Sequence, residues 1–182
     1  MPEDPHYHPT FARRETLFGT DNHSPDAPVV VAGVPLDIGT TNRAGARDGP
    51  AAIRRASRMT GGSHPDLWAD GAKVAFADVG NFEILMGNLE PSLQMIETQA
   101  ARYEHLIALG GDHLVSLPLL RALARRFGPL GMVHFDAHLD TWPENFGAPV
   151  THGSNFRIAI EEGLLDPSRV IQIGIRSVSY TH

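Results

Sequence analysis

Short apolar runs alternate with helix-like segments along most of this chain, and that alternation limits the fold more than any other feature. Residues 28–34 (Pro-Val-Val-Val-Ala-Gly-Val) form an apolar run that reads as a buried strand. Residues 73–79, 105–109, 130–135 and 169–175 also read as strands. Helical segments lie between them. Gly49-Pro50 opens one that continues to Met59, with Asp48 or Gly49 as cap and Pro50 at the first helical position. Residues 91–103 form another, with Leu93, Ile96, Gln99 and Ala100 on one face. Two more cover residues 114–127, with Pro118 in the first turns, and residues 156–163. Strands that alternate with helices predict the α/β class: a mostly parallel sheet covered on both faces. Residues 1–27 carry Pro, His and charge without a period and read as an arm, leaving residues 28–182 as one domain.

Composition narrows the function. The 182 residues are 42% hydrophobic and 20% charged, the balance of a soluble globular protein. A net charge of -6 offers no electrostatic case for nucleic acid or an anionic membrane. It would suit a cationic substrate, although ordinary solubility explains it as well. The absence of cysteine excludes a disulfide framework and a Cys-type zinc site. No run of about 18 apolar residues exists to span a membrane. Residues 1–10 hold Pro, His and acids rather than the apolar region of a secretory signal, so the expected location is cytoplasmic by default.

In parallel sheets, functional groups gather beyond the carboxyl ends of strands. Two such ends stand out. Gly110-Gly111-Asp112-His113 follows one strand; the glycines permit a sharp turn that presents His113. A strand-end histidine alone is more often structural. Asp136-Ala137-His138-Leu139-Asp140 follows the next strand. If this segment is extended, Asp136, His138 and Asp140 share one face and converge. Two carboxylates and an imidazole so close repel one another, and a divalent cation resolves this; the donor types suit manganese, zinc or iron. A polar loop that solvates itself is the bland alternative. The two strands are expected to be adjacent, so that their ends together supply His113, Asp136, His138 and Asp140. Two ions roughly 3.5–4 Å apart can share a hydroxide and lower its pKa toward neutrality. Thr151-His152-Gly153-Ser154 opens the next helix, where His152 is either a proton shuttle or a capping or surface residue.

Gly110-Gly111-Asp112-His113, Phe135-Asp136-Ala137-His138-Leu139-Asp140 and His152-Gly153 resemble three signature segments of the ureohydrolases: the arginases, agmatinases, guanidinobutyrases and their relatives. Further similarity covers residues 33–37, 43–50, 161–167 and 172–176, so the resemblance runs from about Val29 to Arg176. It implies a three-layer α/β/α sandwich, here truncated after about the fifth strand, with two Mn2+ ions. It also implies that His113 binds one ion, His138 the other, Asp136 bridges both, and Asp140 completes the first shell. His152 and Asp140 become the catalytic candidates, with His152 matching the family's proton-shuttling histidine. The implied reaction is attack of a dimanganese-held hydroxide on a guanidinium carbon, releasing urea and an amine. Relatives are commonly trimers or hexamers, so the resemblance also implies a homo-oligomer.

The Arg43–Pro50 segment resembles the agmatinase branch more than arginases. Ser177-Val178-Ser179 stands where arginases carry the acidic Asp-x-Asp that grips an amino-acid head. Ala148-Pro149 likewise do not supply the Ser pattern of the arginase loop. Agmatine, hydrolysed to urea and putrescine, is therefore the expected substrate, with guanidinobutyrate, guanidinopropionate and formiminoglutamate as alternatives. The family's later Ser-x-Asp-x-Asp segment and guanidinium-holding glutamate do not occur in these residues. The expectation is a piece of a longer enzyme, a frameshifted product, or a non-catalytic remnant that pairs with complete subunits, in that order. Trp68 and Trp142 read as packing, with Trp142 also able to line the site loop. Asp78 and Asn81 read as loop polarity or cleft lining, and His6, His8, His23 and His64 as surface residues.

Overall fold

Strand β1 (Val29–Val34) is buried along nearly its whole length because both its edges and both its faces are in use. A computed structural model describes residues 15–60, 63–64, 69–70 and 75–177. His6, His8 and Trp68 lie outside the described residues, as does the side chain of His64. After β1 the order is α1 (Gly49–Thr60), β2 (Ser63–His64), β3 (Ala69–Asp70), β4 (Phe76–Asn81), α2 (Leu89–Ala100), β5 (Leu106–Gly110), α3 (Ser116–Phe127), β6 (Leu130–Phe135), α4 (Asn155–Glu161) and β7 (Leu165–Ile173). The short β2–β3 hairpin has no counterpart in the sequence reading; two-residue strands carry too few side chains to show a period.

β1 pairs in parallel with β4 on one edge and β5 on the other. Alternate residues then face opposite layers. Ala32 and Val34 join Leu93 and Ile96 of α2 and Leu117 of α3 in the main core. Val31 turns the other way and packs with Phe76, Leu109 and Leu17. α1 covers that second side, and its Pro50 comes so close to β1 that a Cβ at Gly33 would collide with it and with Asn81. The α/β class and parallel pairing hold.

One expectation fails. β5 and β6 are not hydrogen-bonded neighbours; β6 pairs in parallel with β7 in a separate sheet. The two sheets are united through their helices instead. α3 packs on α2, α4 and β6, so residues of both sheets share one core. One face of the β6–β7 pair stays open: Val133 opposite Ile171 and Phe135 opposite Ile173 are 63%, 58%, 75% and 45% exposed, respectively. Among the described residues no helix is long and apolar enough to cross a membrane.

Asp78 is neither loop polarity nor cleft lining. It is fully buried on β4 and takes a two-pronged ion pair from Arg54 of α1, with Nε–Oδ2 and Nη2–Oδ1 both 2.8 Å. Asn81 accepts from Nη1 of the same guanidinium at 2.6 Å. The backbone N–H of Leu17 also donates to Asp78 Oδ2 at 2.8 Å, which ties residues 15–27 to the sheet. Nearly every donor and acceptor is used, the condition under which a buried pair holds together. We predict that Asp78→Ala, which strands a buried guanidinium, costs about 3–5 kcal/mol of stability. Urea unfolding of the two chains measures it; a loss under about 1 kcal/mol would contradict the role.

Candidate metal centre

The first half of the site is built by a clamp between two loops. After β5, Gly111 has φ 33°, and any side chain there would run into the backbone of Val34 and Leu36. Asp112 follows, buried. Its N–H donates to Leu36 O at 2.7 Å, and its carboxylate accepts from Leu114 N–H at 2.8 Å and Gly39 N–H at 3.0 Å. Asp112 therefore caps the 3₁₀ turn His113–Val115 and fastens it to the loop after β1. The carbonyl of His113 accepts from Asn155 Nδ2 at 3.2 Å, so the start of α4 steadies the same turn.

The second half is the turn after β6. Asp136 N–H donates to Ile173 O at 3.1 Å, continuing the ladder to β7. Its own Oδ1 then accepts the backbone N–H of His138 at 2.8 Å, and Asp140 adopts φ 54°. The segment is thus bent and not extended. An aspartate that bonds the backbone two residues on offers the chain a turn in place of a strand. Convergence still results, but for Asp136 and Asp140 only.

His113, His134, Asp136 and Asp140 each offer a ligand atom, and these atoms all lie within 4.8 Å of one another. His113 Nδ1 is 2.7 Å from Asp140 Oδ2 and 3.7 Å from Asp136 Oδ2. Asp140 Oδ2 is buried, yet no donor is aligned with it. A buried carboxylate oxygen short of donors, facing an imidazole nitrogen, is what a divalent cation would satisfy. The residues present therefore fit a metal such as manganese. His138 stands outside that group, exposed, with Nδ1 3.1 Å from the other oxygen of Asp136. The two oxygens of Asp136 consequently face different histidines.

His152 lies across the loop after β1: its N–H donates to Gly39 O, and its Nε2 is 3.1 Å from Thr41 Oγ1. Trp142 is about half exposed beside Gly153, as a residue lining the loop would be. Sequence reading missed His134 and Thr41. The first was findable, because residue i-2 on a strand shares the face that Asp136 continues.

Charge follows geometry. Burial opposes charge on His113, but Asp140 and then Asp136 overcome it, and its pKa is raised. His134 is held down by burial and then by the charge of His113. For Asp136 burial pushes upward, but hydrogen bonds from His138 and the charges of His113 and His134 leave its pKa lowered. Asp112 is raised by burial.

Imidazoles and carboxylates gathered at the carboxyl ends of the strands of an α/β fold are a donor set that suits a divalent cation. Residues 27–182 match the arginase family, and the chain belongs to it. It is 49% identical over 160 residues to guanidinopropionase of Pseudomonas aeruginosa, covering 84% of this chain and 50% of that protein. It is 43% identical over 157 residues to the mitochondrial guanidino acid hydrolase of Homo sapiens, covering 82% and 44%. It is 43% identical over 162 residues to the mitochondrial agmatinase of Gallus gallus, covering 81% and 45%. Among solved structures, proclavaminate amidino hydrolase from Streptomyces clavuligerus matches with TM-score 0.83 and 34% identity, over 93% of this chain and 59% of that one. Trypanosoma cruzi formiminoglutamase with Mn2+ matches with TM-score 0.74 and 29% identity, over 91% and 58%. The chain spans about half the length of the curated relatives it matches.

The pKa directions set a pH dependence. A raised histidine stabilises the fold below its unfolded value, about 6.5, and that stabilisation is lost as pH rises through the folded value. A lowered aspartate stabilises above its unfolded value, about 3.9, and loses this as pH falls through the folded one. Without metal, melting temperature is expected to fall from about pH 6 to pH 8. His113→Gln should flatten that fall; an equally steep fall in the variant would rule His113 out as its source.

Proposed function

We propose that this chain carries half of a metal-dependent hydrolase of linear amidines, acting on a guanidino compound to release urea and an amine. The observation that supports this reading most is the convergence of His113, Asp136 and Asp140, with His138 on the far oxygen of Asp136, in an arginase-family chain. His113 and Asp140 would hold one ion, His138 the second, and Asp136 one oxygen toward each. When bound, such ions supply the Lewis acidity that makes water nucleophilic near neutral pH.

The remaining work falls to the chain's own residues. Nitrogen leaving without a proton would depart as a strongly basic amide anion, so the leaving nitrogen must gain a proton as its bond breaks. His152 is the residue proposed to deliver it. Its backbone is pinned to Gly39, while Thr41 Oγ1 at Nε2 orients the ring and can pass a proton on. Three protein ligands and a shared carboxylate are too few to fill two coordination shells. The family's later Ser-x-Asp-x-Asp segment and glutamate are proposed to supply the rest.

Agmatine is the substrate proposed first, since Ser177-Val178-Ser179 offers no acidic grip for an amino-acid head. A guanidino carboxylate is the second reading, favoured by the likeness to guanidinopropionase and guanidino acid hydrolase. Urea release with Mn2+ from agmatine, guanidinobutyrate and guanidinopropionate, beside formamide release from formiminoglutamate, separates them. We expect the 182-residue chain alone to turn over at least roughly a hundredfold more slowly than a complete relative, since losing even an outer partner of a ligand costs about 10–100-fold. Turnover at a relative's rate would overturn that. In an assembly completed with the later segment, His152→Asn should lower kcat by about 10²–10⁴-fold with metal content unchanged. An unchanged kcat would remove His152 from the mechanism.

A further inference from the structure

His134 sits in the group with metal-ligand spacing, yet no part of the chemistry above uses it. It is buried on β6, two residues before Asp136, against the edge of Phe156 at 4.6 Å between centroids and beside His113 at 5.2 Å. Its two ring nitrogens face different partners. Nδ1 is 3.1 Å from Nε2 of Gln172 on β7, the adjacent residue across the strand pair. Nε2 is 3.4 Å from Asp136 Oδ2 and is buried without an aligned partner.

The tautomer of this ring follows from a carbonyl. Gln172 Nε2 also lies 3.0 Å from the backbone oxygen of Leu139. A carbonyl oxygen only accepts, so the Gln172 atom that faces it is the amide NH2. An amide NH2 has two hydrogens and no lone pair to offer. One hydrogen goes to Leu139 O, and the other points at His134 Nδ1, which must therefore accept. The ring proton is left on Nε2, 3.4 Å from Asp136 Oδ2 and near it without being aligned on it. Doubly protonated His134 is excluded by the same contact, because Nδ1–H would then meet another donor.

We infer that His134 is a positioning residue and not a metal ligand: Gln172 fixes its tautomer, and its Nε2–H orients the Asp136 carboxylate. Two consequences follow. Nε2 has no lone pair to give a cation, so the ion is left to His113, Asp136 and Asp140. And the proton on Nε2 faces the Oδ2 side of Asp136, while the His138 N–H holds the Oδ1 side. The carboxylate thus has an N–H hydrogen-bonded to one oxygen and a second N–H close to the other before any ion arrives. The chain Leu139 O–Gln172–His134–Asp136 also links β7 to the site, so residues outside the signature segments help set the metal geometry.

This rests on the metal-centre reading, and the test separates the two. In the metal-free chain, 15N NMR of His134 should place Nε2 in the protonated, pyrrole-like range and Nδ1 in the unprotonated one. Gln172→Glu turns the donor at Nδ1 into an acceptor and should exchange the two signals, freeing the Nε2 lone pair toward the cluster. Gln172→Leu, which only removes the amide, should leave a mixture. Calorimetric titration with Mn2+ gives a second readout. His134→Leu should weaken binding by about 10–100-fold, and His134→Gln, whose amide can still donate to Asp136, should recover most of that. An unprotonated Nε2 in the unaltered chain overturns the proposal, and so does His134→Gln binding as weakly as His134→Leu. If the tautomer is as stated but the unaltered chain takes up no Mn2+, the metal reading fails instead, and the inferred role fails with it.

Discussion

The site depends on where one carboxylate sends its two oxygens. Asp136 turns Oδ1 to the backbone and ring of His138, and Oδ2 toward His113 and His134. Asp140 stands close by, its ligand oxygen within 4.8 Å of that of Asp136. At that separation two unit negative charges repel by about 3–4 kcal/mol at an effective dielectric of 20. Something positive must sit among them. In the metal-free protein Asp140 and Asp136 favour a proton on His113, which is why its pKa is raised although burial opposes the charge. A divalent cation would meet the same need more fully, and would release that proton as it binds. The electrostatic cost of the cluster and its appetite for metal are one property.

The fold makes this arrangement affordable by fastening the loops that carry it. Asp112 locks the His113 turn to the loop after β1, and Asn155 reaches the same turn from α4. Gln172 bridges β7 to His134 and to the carbonyl of Leu139. Four strand ends and one helix start are thereby joined around the cluster by hydrogen bonds between buried or half-buried groups, where water competes least. The open face made by Val133, Phe135, Ile171 and Ile173 belongs to the same sheet that carries Asp136. The core beneath that sheet, built on α3 and α4, is what steadies it within the described residues.

Much of this was legible in the sequence because it repeats with a short period. The apolar run at residues 29–34 and the amphipathic spacing of Leu93 and Ile96 announce strand and helix directly. His113, Asp136 and Asp140 were legible because parallel sheets put chemistry at strand ends. Other features were hidden because they depend on pairings no local pattern encodes. The sequence does not say that β5 and β6 lie in separate sheets, since either arrangement buries the same alternating residues. The bend at Asp136 comes from a side chain bonding its own backbone, which defeats the period-two argument that placed His138 beside Asp140. Asp78 looked like loop polarity only because Arg54, its partner, is 24 residues away in the chain.

Anomalous scattering from crystals of the protein grown with Mn2+ addresses the central claim most directly, because it locates ions without reference to activity. Two manganese peaks are predicted, one among His113, Asp136 Oδ2 and Asp140, the other beside Asp136 Oδ1 and His138, with none on His134 Nε2. Peaks elsewhere, or a single ion bound through His134, would contradict the shared-carboxylate arrangement and the hydrolytic role built on it.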